Sequence, residues 1–107
     1  MNAQPDEVQQ RLTFIGRTIR HAAQACHSDT TVPQELKDYI RQLSLQANEV
    51  IHALDRKDEN IVRLNLSMLA RLSYNAQRAT GCNVNYDVKS AVILTHIEVN
   101  ALMHQLI

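Results

Sequence analysis

Apolar residues in this chain return at alternating steps of four and three. In the first segment they are Val8, Leu12, Ile15, Ile19, Ala22 and Cys26. That spacing keeps one stripe on one side of an α-helix, whereas strand side chains change face at every residue. The rhythm recurs at Leu36, Ile40, Leu43, Ala47, Val50 and Leu54, and again at Val88, Val92, Thr95, Val99, Leu102 and Leu106. Between them a third segment carries Ile61, Val62, Met68, Leu69, Leu72, Ala76 and Ala79 on one face. Two Gly and two Pro in 107 residues leave little room for hairpins. Ala, Leu, Gln, Arg and Glu, all good helix formers, are plentiful.

The boundaries follow from local chemistry. Pro5, Asp6 and Glu7 suit a helix start, where a missing N–H is harmless and negative charge meets the positive dipole end. HSDTTVP ends that helix at about 27, and Thr31 with Gln34 offers a capping box for the next. Gly81 stands just past the third segment, the usual place for a helix-ending glycine. The segments are therefore about 5–27, 33–56, 59–80 and 85–107, each about 30–35 Å long at 1.5 Å per residue. Matched lengths and short joints read as an all-α chain, a single helical domain over 1–107 folded as an antiparallel up-down four-helix bundle. One joint is ambiguous. DRKDEN at 55–60 has neither Gly nor Pro, and the second stripe continues through Lys57, Ile61, Leu64 and Met68. The alternative is three helices, with one long central helix over 34–80 covered in a dimer. Asp55, Asp58 and Asn60, poor interior residues and good caps, favour the break.

Eleven basic residues balance eleven acidic ones, so no bulk field draws the molecule to nucleic acid or membrane. No apolar run is long enough to span a bilayer, and no membrane association is expected. MNAQPDEVQQ is polar and acidic, unlike a secretory signal, so a cytoplasmic location with reduced thiols is expected. Whether Cys26 and Cys82, which an up-down bundle brings to one pole, form a bridge is left open.

Catalytic and metal patterns are incomplete. Glu49-Val50-Ile51-His52 is the one Glu-x-x-His match, where a di-iron bundle uses two. His21, His52 and His96 lack the Lys and Gly that follow the reactive His of phosphotransfer domains, so a His phosphocarrier is a distant alternative. No Ser/His/Asp arrangement or Gly-rich phosphate loop is present. The expectation is a protein that is not an enzyme and takes no metal and no cofactor.

Interaction features are richer. No acidic residue lies between Asn60 and Tyr86, while Arg63, Ser67, Arg71, Tyr74 and Arg78 form an outward stripe stepped four, four, three, four. Arginines with an interleaved Tyr suit an anionic partner or a nucleic-acid backbone. Asn65 falls among the apolar residues of the third segment. It is expected to be buried and hydrogen-bonded, with Thr95 a candidate partner unless Thr95 bonds its own helix. The fourth helix carries a second apolar face of Ile93, Ile97, Asn100, His104 and Ile107, widened by Leu94 and Ala101. Phe14 and Leu45 also point away from their own stripes. An exposed apolar face of this kind marks an interface. The reading is a small helical interaction module that forms a homodimer or docks one protein partner through that face. An accessory protein that binds nucleic acid or another anion through Arg63, Arg71 and Arg78 is the alternative.

Overall fold

The computed structural model describes residues 5–81 and 84–106. Four helices account for nearly all of them: α1 (Pro5–His27), α2 (Gln34–Asp55), α3 (Glu59–Ala79) and α4 (Tyr86–Leu106). Each packs on its neighbour in sequence, and α4 closes the ring against α1. Among the described residues the diagonal pairs do not approach one another. The result is an up-down four-helix bundle measuring 41 × 20 × 19 Å.

Three of the four stripes lie where the rhythm puts them, except that α2 ends its stripe on Ala53 and leaves Leu54 half-buried. Leu12, Ile15 and Ile19 of α1, Leu36, Ile40 and Leu43 of α2, and Val88, Val92 and Leu102 of α4 are almost wholly buried. Burying one such side chain contributes about 1.5–3 kcal/mol, so these residues hold the bundle closed. Thr95 joins the core without penalty, because its hydroxyl donates to the Ala91 carbonyl at 2.8 Å. Cys26 is buried at the end of the α1 stripe. Burial pushes its thiol up from the ordinary range, against an opposing pull from Lys37.

The third helix is rotated from its expected phase. Its buried residues are Val62, Leu66, Leu69, Ser73 and Ala76, followed by Thr80, again stepped four and three. Ile61 and Met68 are exposed, and Leu72 and Ala79 are only half-buried. Two of the six inward positions are hydroxyl residues, so a stripe chosen by bulk misses them. Both hydroxyls are satisfied locally, Ser73 by the Ala70 carbonyl at 2.8 Å and Thr80 by that of Gln77. Asn65 accordingly stands half-buried on the flank toward α2, not at the centre of the core. Its Oδ1 accepts from Gln46 Nε2 at 2.8 Å and its Nδ2 donates to the Ile61 carbonyl at 2.9 Å. Gln46, not Thr95, is its partner.

The long central helix does not form. Lys57 takes a left-handed backbone with φ 58°. The Asp58 N–H reaches back to the Ala53 carbonyl at 3.4 Å and the Lys57 N–H to that of Leu54 at 3.0 Å. This pair of bonds is the Schellman ending, here with Lys where Gly is usual. The Asp58 carboxylate then accepts the Ile61 N–H at 3.2 Å and caps α3. At the first joint the capping box is not made. Asp29 takes the Thr31 N–H at 2.9 Å and the Thr31 hydroxyl at 2.6 Å, while Pro33 holds the N-cap position of α2 with no side-chain cap bond. Those two bonds hold the Asp29 carboxyl below the usual range. Cys82, Ile107 and the side chain of Leu106 lie outside the described residues.

Candidate interaction surfaces

The outer face of α4 is an apolar ridge. Tyr86, Lys89, Ser90, Ile93, Leu94 and Ile97 outline a shallow depression on it, and Ile97 is 55% exposed. Ala101 and His104 continue the ridge as exposed residues, whereas Ile93 and Asn100 are half-buried. One flank belongs to α1. There Arg17, Thr18 and His21 line an open groove with Asp87, Ala91 and Leu94. Phe14 lies two turns before His21 on the same side of α1 and is also exposed. Leu45 is not part of this surface, because it sits on α2, across the ring.

The other flank joins the histidines of α4 to the Arg stripe. His96 turns toward α3, where its Nδ1 lies 3.0 Å from Ser73 Oγ, and Asn100 Nδ2 lies 3.1 Å from its Nε2. The donors order themselves. An amide Nδ2 can only donate, so Nε2 accepts and Nδ1 carries the hydrogen. Ser73 then accepts from His96 and donates to Ala70. The Tyr74 ring stands 6.0 Å from the His96 ring, with the Arg78 guanidinium 5.8 Å from the Tyr74 centroid. Arg63, Ser67 and Arg71 follow on the same flank as exposed residues. Lys89, two turns before His96, adds a cation from α4.

Carboxylates avoid this flank of α4. Asp87 lines the α1 groove, and Glu98 lies two turns before Gln105, whose amide reaches Glu7 of α1 at 3.4 Å. Among the described residues one ion pair occurs, Arg41 with Asp38 at 3.8 Å, so Arg63, Arg71 and Arg78 have no carboxylate within reach.

A second apolar patch escapes a reading by bulk. Leu64 is 62% exposed and Met68 is 47% exposed, and with Ile61 they line the outward side of α3 next to α2. Leu45, also 62% exposed, stands on α2, the helix packed beside α3. The Gln46–Asn65 bond ties α2 to α3 next to Leu45 and Leu64 in sequence, on the flank that this patch borders. The inward spacing of Val62, Leu66, Leu69, Ser73 and Ala76, which turns Leu64 and Met68 outward, is the sequence signal for this patch.

The remaining candidates are dispersed. Glu49 and His52 are exposed on α2, and His21 is exposed on α1. Among the described residues no three His, Cys, Asp or Glu side chains converge to hold a metal ion, and no helix is long and apolar enough to cross a membrane. The chain matches no family model, and no curated protein or solved structure was found that resembles it.

Proposed function

We propose that the protein is a non-enzymatic interaction module that docks an amphipathic helix of a protein partner on the outer face of α4. The observation that carries this reading is the exposed Leu94–Ile97 ridge, bordered by cations that form no ion pair among the described residues. The apolar ridge would supply most of the affinity, at about 25 cal/mol per Å² of apolar surface buried. Arg71, Arg78 and Lys89 would select a partner helix whose flank is acidic, mainly by steering its approach. This joins the apolar face of α4 and the Arg stripe of α3 into one surface. A cytoplasmic setting suits a buried thiol at Cys26.

The test is a titration of the ¹⁵N-labelled protein with two designed amphipathic peptides. They share one leucine stripe and differ only in carrying glutamate or lysine along the flank. The glutamate peptide is expected to shift amides over 86–104. Ile97→Asp is expected to weaken it about tenfold or more, a loss of about 1.4 kcal/mol. Arg71→Gln with Arg78→Gln is expected to slow association and flatten the salt dependence. Equal binding of both peptides, or shifts centred away from α4, would overturn the proposal. Single-stranded DNA that binds the Arg stripe with Ile97→Asp unaffected would replace it with the nucleic-acid reading.

A further inference from the structure

We infer that the protein pairs with a second copy of itself through the outer face of α2, about a two-fold axis passing beside Leu45. Five residues carry the argument. Asp38, Arg41, Leu45, Glu49 and His52 lie at minus seven, minus four, zero, plus four and plus seven from Leu45. Those offsets share one face of a helix. That face points outward: Leu45 is 62% exposed, the Arg41 and Asp38 side chains are 72% and 47% exposed, and Glu49 and His52 are exposed.

The pattern is antisymmetric in charge. An antiparallel copy of α2 centred on Leu45 would set Arg41 opposite the second copy's Glu49, and Asp38 opposite the second copy's His52. Every such pair would occur twice, as an isologous interface requires. A parallel copy would set Arg41 against Arg41 and Glu49 against Glu49, which like-charge repulsion disfavours. The same axis works on α3. Leu64 and Met68 are exposed one turn apart on α3, the helix that Gln46 of α2 bonds through Asn65. The rotation would bring these two against the same residues of the second copy. One operation covers Leu45, Leu64 and Met68 and matches the charged residues of α2.

This face lies across the ring from the α1–α4 side. A dimer built on α2 would leave both α4 ridges facing outward. If α4 docks a partner as proposed above, the dimer would present two such faces and gain avidity for a partner with two binding segments. The dimer itself does not depend on that reading.

Sedimentation equilibrium from micromolar to millimolar protein tests it, with far-UV circular dichroism to check that each variant stays helical. The wild type is expected to dimerise, and Leu45→Asp to remain monomeric. Arg41→Glu and Glu49→Arg are each expected to weaken the dimer about tenfold. The double variant is expected to recover it, because the inverted pattern is still antisymmetric. Leu45→Gln serves in place of Leu45→Asp should the latter lose helicity. Ile97→Asp is expected to dimerise as the wild type does, which separates this proposal from docking on α4. A wild type that stays monomeric, a dimer indifferent to Leu45, a double variant no better than its singles, or a dimer lost in Ile97→Asp would each overturn it.

Discussion

Ser73 is wholly buried on α3, and its hydroxyl joins two helices. It accepts from His96 of α4 and donates to the carbonyl of Ala70, so one oxygen anchors the chain of bonds from Asn100 through His96 into α3. Removing it would leave the His96 Nδ1–H without an acceptor in a half-buried site. Ser73→Ala is therefore expected to cost about 1–3 kcal/mol in urea unfolding, although alanine is the better helix former. A loss below a few tenths of a kcal/mol would show that water replaces the bond. Ser73 also marks the limit of reading residues by bulk. Ile61, Met68 and Leu72 are the greasier residues, so they draw the stripe toward themselves. The true inward positions include Ser73 and Thr80, whose hydroxyls bond their own helix and cost little to bury. Asn65 looked central for the same reason and stands instead on the flank, held by Gln46.

At the scale of elements, α1, α2 and α4 were legible because their inward positions are mostly bulky aliphatics, and neighbouring positions are mostly polar or small. The break between α2 and α3 was legible from Asp58, whose carboxylate caps α3. The way the chain turns there was not, since Lys57 adopts the left-handed backbone that glycine favours. That conformation costs a side-chain-bearing residue about 1 kcal/mol or somewhat more. Lys57→Gly is expected to raise stability by about 0.5–1 kcal/mol, offset in part by the freer unfolded chain. Thermal or urea unfolding would check it, and a destabilised variant would show that the Lys57 side chain itself supports the joint. The faces of α4 were legible as a pattern, with Ile97 and His104 outward, but Ile93 and Asn100 are half-buried, Asn100 bonded to the His96 that meets α3. Periodicity gives the phase within a helix. It does not say which neighbour each flank will meet.

For the whole molecule, the ring order α1–α2–α3–α4 decides which exposed residues can act together. It brings the Arg stripe beside the α4 ridge, a neighbourhood the linear sequence does not display. It also separates Leu45 from Ile97 and Phe14, which the sequence groups only as outward-pointing grease. Two apolar surfaces on opposite sides of the bundle result: one on α4 with a cationic flank, and one on α2 and α3 with an antisymmetric charge pattern. The second would receive another copy of the chain, and the first a different protein. A dilution series followed by ¹⁵N–¹H correlation spectra tests this most directly. Amides over 38–52 and 61–71 are expected to move with protein concentration while those over 86–104 hold still. Spectra that do not change on dilution, or changes centred on α4, would contradict the account.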